Sequence, residues 1–144
     1  MLTREEAAQE LTAYQDRLDE ARKQGEKPYE EAFRSSPGGV GVHEIDNDHV
    51  VRKVNPEELR LLGYSAEQMI GRQVWNFIVM QEASQRAIDQ KLKGQNHIRP
   101  FVRTFRRADG TVLTLLLVDR RLRDAAGHTV GIRTAMTQIK GLES

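Results

Sequence analysis

At 144 residues and 16.4 kDa the chain is long enough for one hydrophobic core and too short for two ordinary domains. Hydrophobic residues make up 38% and charged residues 30%, and no run approaches the ~20 apolar residues of a membrane-spanning helix, so such a span is excluded. The net charge of +1 is uneven: residues 1–31 hold nine acids and five bases, the remainder twelve acids and seventeen bases, with eight arginines between Arg99 and Arg133.

Residues 3–24 lack proline and glycine and are rich in good helix formers. Ala7, Leu11, Tyr14, Leu18 and Ala21 recur at the ~3.5-residue period of a coiled-coil seam. Thr3 followed by Glu6 makes a capping box at its start, and Gly25 and Pro28 end the pattern. The helical segment is placed at residues 1–30. So thin a seam is marginal alone in water and needs a partner, either a second copy or the apolar face of its own domain.

Pro37-Gly38-Gly39 precedes the folded domain, placed at residues 36–140 with a tail at 141–144. Val40 to Ile45 and His49 to Val54 read as short strands around the acidic turn Asp46-Asn47-Asp48. Asn55-Pro56-Glu57-Glu58 opens a helix that stops at Gly63, and Ser65 to Gln68 opens another that Gly71 closes. A third helix fits about Glu82 to Lys93. Phe101 to Arg107, Thr111 to Arg123 and Thr129 to Ile139 are strand-like, the first pair joined by the hairpin signal Asp109-Gly110. The order predicts an α+β domain with a five-stranded antiparallel sheet and short helices on one face. The run Thr111–Val118 is apolar on both sides, Leu113, Leu115 and Leu117 pointing one way and Val112, Leu116 and Val118 the other. Both faces of the sheet therefore need a cover.

The fragments Asp46-Asn47-Asp48, Val54-Asn55-Pro56, Leu62-Gly63-Tyr64-Ser65, Met69-Ile70-Gly71-Arg72, Arg106-Arg107-Ala108-Asp109-Gly110 and Gly127, in this order and spacing, resemble a PAS domain over about residues 36–140. On that resemblance Trp75-Asn76-Phe77-Ile78 is a short helical stretch, and the N-terminal segment is the amphipathic helix that commonly precedes such domains. The resemblance implies sensing and signal transmission rather than catalysis, through a small ligand or cofactor held between sheet and helices, through dimerisation, or both. Ala135-Met136-Thr137-Gln138-Ile139-Lys140 stands where such domains often carry an Asp-Ile-Thr-Glu-Arg-like exit, and only the threonine matches. The chain is then either an excised sensor segment or a stand-alone protein, with any effector supplied from outside it.

The pocket is expected to be lined by Val42 or His43, Leu62, Trp75, Ile78, Ile88, Leu92, Leu113, Leu115 and Leu117. Zero cysteines exclude a flavin or chromophore bonded through sulfur, as well as disulfides and thiolate metal sites. Haem is not expected, because Glu82 to Lys93 holds no histidine. His49 and His128 are placed beside turns in solvent, His97 in a loop, and His43 on the first strand facing inward. A noncovalent ligand stays open. Gly38-Gly39-Val40-Gly41 precedes a strand and so fails as a phosphate loop, and no HExxH, GxSxG or paired-carboxylate pattern occurs, so an enzyme is not expected.

Three function classes follow. The leading one is a sensory module, the second a ligand-free interaction module of the same fold, and the third a basic-surface nucleic-acid binder. The third ranks last because no lysine-rich loop or stacking aromatics accompany the arginines. The unsatisfied helix seam and the second apolar sheet face together predict a homodimer built from Ala7, Leu11, Tyr14, Leu18, Ala21, Val112, Leu116 and Val118. In it two N-terminal helices pair and lie against each other's sheets. The alternative has each helix folded back on its own sheet. No signal core follows Met1, and the chain is expected in the cytoplasm.

Overall fold

The fold comes from a computed structural model that describes residues 1–94 and 99–142, so the loop position expected of His97 lies outside the described residues. Helix α1 runs Arg4–Gln24 and begins with the expected box: Thr3 accepts from the Glu6 amide, and the Glu6 carboxylate accepts from the Thr3 amide. Glu5 and Glu6 in its first turn and Arg22 and Lys23 in its last complement the helix dipole. Gly25, at φ 141°, ends it. Pro28 does not end the helical region as expected: a second helix, α2, spans Glu26–Arg34. Pro28 sits in its first turn, where a missing N–H breaks no helical hydrogen bond. The Tyr14 hydroxyl donates to the Ala32 carbonyl at 2.7 Å and ties the two helices into a hairpin.

Strands β1 (Gly41–Asp46), β2 (Val51–Val54), β3 (Phe101–Arg106), β4 (Val112–Arg123) and β5 (Thr129–Thr137) form one antiparallel sheet in the order β2-β1-β5-β4-β3. Between β2 and β3 lie α3 (Pro56–Leu62), α4 (Ala66–Met69), a 3-10 turn (Val74–Phe77) and α5 (Gln81–Leu92). The Asn55 side-chain oxygen caps α3 at the Glu58 amide (3.0 Å) and also accepts from the Val42 amide of β1 (2.9 Å). One side chain thus starts a helix and fixes its place on the sheet.

The sheet is covered on both faces by its own chain. Its inner face packs Ile45, Leu113, Leu115, Leu117, Ile132 and Met136 against Leu62, Phe77, Ile78 and Ile88 of the intervening helices and turns. Its outer face packs Val42, Leu116, Val118 and Ala135 against Ala7, Leu11, Tyr14 and Leu18 of α1 and Phe33 of α2, with Ala21 partly buried alongside. Within this chain the α1 seam lies on its own sheet, the second of the two arrangements expected, because the short α1–α2 hairpin returns it to the nearest apolar face. Val112 lies beyond the reach of α1 and is 47% exposed, and Val42 turns away from the expected pocket into the outer core. Gly131 on β5 is required by close approach: a Cβ there would overlap the Ile45 carbonyl of β1.

Candidate functional site

A polar row crosses the middle of the apolar inner face. His43 on β1 is the ladder partner of Thr134 on β5, and Thr134 is the ladder partner of Asp119 on β4. All three are buried. The Asp119 carboxylate accepts from Thr134 Oγ1 at 2.6 Å and from Lys91 Nζ of α5 at 2.7 Å. His43 Nδ1 meets the Glu58 carboxylate of α3 at 2.8 Å, and Glu58 is itself fully buried. Buried charges survive only when paired and hydrogen-bonded, and each one here is.

The electrostatics follow from those pairings. Burial pushes the His43 pKa down, but the Glu58 carboxylate outweighs it and the net shift is upward from 6.5. Burial pushes the Asp119 carboxyl up, and Lys91 and Arg103 outweigh that, leaving it below its ordinary 3.8. Arg103 of β3 lies over the Phe101 ring (4.8 Å to the centroid), and Lys91 approaches the same ring at 3.6 Å. Burial lowers the Arg103 pKa, with Asp119 opposing.

Sequence-predicted pocket residues divide into three groups. Leu62, Ile78, Ile88, Leu113, Leu115 and Leu117 meet in the inner core, with Trp75 and Leu92 partly buried against it. His43 reaches the same face as a hydrogen-bonded ion-pair member. Val42 is on the opposite face, a consequence of strand alternation. His49, expected in solvent, instead packs at a tilt against Trp75 (ring centroids 4.7 Å apart, planes inclined at 51°) and meets Asp89 of α5 at 2.5 Å. Asp119, Lys91, Thr134 and Glu58 escaped the sequence reading. Asp119 had a signal: it continues the odd-numbered series Leu113, Leu115, Leu117 and so must face the same core. Beside the polar row, α5 and β3 enclose a groove of about 450 Å³ lined by Met80, Ala83, Ala87, Phe101, Val102 and Arg103, among others.

A family model of the PAS domain matches residues 39–139. The chain belongs to the PAS domain family. Such domains are typically sensory, non-enzymatic modules. Among solved structures the PAS domain is similar to that of an HTR-like protein from Haloarcula marismortui, at 22% identity over 89% of this chain and 99% of that one (TM-score 0.63). It is similar to a PAS domain from Colwellia psychrerythraea, at 18% identity over 78% and 95% of the two chains (TM-score 0.67). It is also similar to the light-state LOV domain of the blue-light photoreceptor Aureochrome1, at 21% identity over 70% and 82% (TM-score 0.60). No curated protein matches by sequence. No helix among the described residues is long and apolar enough to cross a membrane.

The outer face of this PAS domain carries a second polar row, one residue along. Glu44, Arg133 and Arg120 are neighbours across β1, β5 and β4. Arg133 is fully buried. It donates to Gln15 Oε1 (2.6 Å), the Gln15 carbonyl (3.0 Å), Asp19 (2.6 Å) and the Tyr29 hydroxyl (3.2 Å). Arg120 bonds Asp19 at 2.6 Å and Asp16 at 3.0 Å, and the Tyr29 hydroxyl donates to Glu44. Burial raises the Tyr29 pKa, and Glu44 adds to it. Arg120 and Arg133 are thus the polar centre of the α1 interface.

Proposed function

We propose that this PAS domain is a sensory module in which a small ligand on the inner side of the sheet is read out by α1 on the outer side. The observation that supports the reading is the adjacency of the two polar rows. Asp119 and Thr134 face inward, their chain neighbours Arg120 and Arg133 face outward, and the pairs Asp119↔Thr134 and Arg120↔Arg133 are consecutive rungs of one ladder. A shift of β4 against β5 that accommodates a ligand near Asp119 moves the residues that hold Asp16, Gln15 and Asp19 of α1. Dimerisation through the Leu11 and Leu18 seam belongs in this reading to the released state of α1, because those side chains cannot serve the sheet and a second chain together. The lack of cysteine bears only on a bond through sulfur, so a flavin held by noncovalent contacts is among the ligands to be tested.

The test is hydrogen exchange across the whole chain in Asp119→Asn and Thr134→Val. The reading expects loss of protection in α1 beyond the loss in α3. Uniform loss across both helices, or no change in α1, overturns it in favour of a ligand-free interaction module. The visible absorbance spectrum of the purified protein reports a bound flavin directly.

A further inference from the structure

The groove between α5 and β3 carries a feature that apolar packing does not explain. Its walls are Met80, just before α5, Ala83 and Ala87 on one face of α5, and Phe101 and Val102 on β3. Arg103 also lines it, and among the described residues its guanidinium has no carboxylate within ion-pair distance and no hydrogen-bond acceptor. The acid whose field reaches it is Asp119, a single carboxylate that also accepts from Lys91 and Thr134. His43 and Glu58 neutralise each other. Lys91 and Arg103 thus share one carboxylate, which leaves one positive charge uncompensated at the inner end of an apolar groove. The mouth of the groove has matching oddities. Met80 adopts a left-handed backbone at φ 59° and is 75% exposed, and Val102 is 42% exposed.

We propose that this groove binds a small monocarboxylate with an apolar tail, the carboxylate paired to Arg103 and the tail lying along Met80, Ala83 and Ala87. Arginine presents a planar fork that matches a carboxylate, and partial burial strengthens the pairing by excluding water. The groove's volume is at the lower end of the ~300–1,000 Å³ of small-molecule sites, which suits a single short chain. The ligand class deepens the sensory reading, since Arg103 and the Asp119–Thr134 row share one electrostatic cluster, but the binding itself does not depend on that reading.

Octanoate is the probe, titrated into the full chain while the Met80 methyl signal is followed by NMR and the affinity by calorimetry. Saturable binding with a shift of the Met80 methyl is expected. Octanamide, which keeps the tail and loses the charge, is expected to bind at least tenfold more weakly. Arg103→Gln is expected to weaken octanoate by a similar factor and to leave octanamide unchanged. The comparison of the two ligands on the unaltered chain stands even if the variant does not fold. No saturable shift at millimolar octanoate, or equal affinity for octanamide, overturns the site. Hydrogen exchange of α1 measured in the same samples separates the two proposals: octanoate bound with α1 unchanged keeps the site and sinks the transmission route.

Discussion

At the scale of single residues, the His43–Glu58 pair is the clearest determinant of pH behaviour. The folded pKa of His43 lies above its ordinary 6.5 because Glu58 holds the proton in place. A raised histidine pKa contributes stability that is fully present below 6.5 and is lost as pH rises through the folded value. Asp119 acts in the opposite sense: its lowered pKa contributes stability above 3.8 that is lost as pH falls through the folded value. We therefore expect the urea midpoint to decline as pH rises above 6.5. His43→Ala should remove that decline and cost about 3–5 kcal/mol, because Glu58 is left buried without its partner. An unaltered pH slope in the variant would assign the effect to another group. Tyr14 belongs to the same scale: burial pushes its hydroxyl up to about 12, so it stays a donor to the α2 carbonyls throughout that range.

At the scale of elements, α1 is held by two kinds of contact with different consequences. Leu11 and Leu18 are fully buried against the sheet of their own chain, and Arg133 with Arg120 supplies the polar part. Leu11→Ala or Leu18→Ala should each cost about 2–5 kcal/mol in an unfolding titration, the usual range for a buried leucine. The midpoint of the native chain should not depend on protein concentration, because the seam is satisfied within the chain. A midpoint that rises with concentration would show that the seam is shared between chains. α5 differs in kind. It starts at the left-handed Met80, carries no side-chain cap, and meets the sheet through Ile88 and the Lys91–Asp119 pair.

At the scale of the whole molecule, the sheet separates two cores, one on each of its faces. The inner core belongs to the part matched by the family model, and the outer core depends on α1 and α2, which lie before residue 39. Deleting residues 1–34 should leave Val42, Leu116, Val118 and Ala135 uncovered and Arg133 without Gln15, Asp19 and Tyr29. The truncated chain is expected to self-associate, seen as a rising mass with concentration in light scattering. A monodisperse monomer would mean that the outer face needs no cover, and with it the case for α1 as reporter would fall.

The sequence by itself determined the family, the five strands, the capped helices and the inner core. Those features rest on local signals: Asn55-Pro56 and Thr3 with Glu6 as caps, Asp109-Gly110 as a turn, and the alternation Leu113, Leu115, Leu117. It also located the amphipathic seam of α1 and the second apolar face of β4, and so both halves of the outer core. Tertiary structure brought them together within the chain, a step that depends on the path of α2, whose Pro28 reads locally as a stop yet stands in a helical first turn. It also decided the polar site. Asp119, Lys91, Arg103, Thr134 and His43 come from five elements, and only strand register and the packing of α5 on the sheet bring their side chains to one place. Spacing along a chain reports which face a residue takes, and it carries no information on which distant charge will stand opposite.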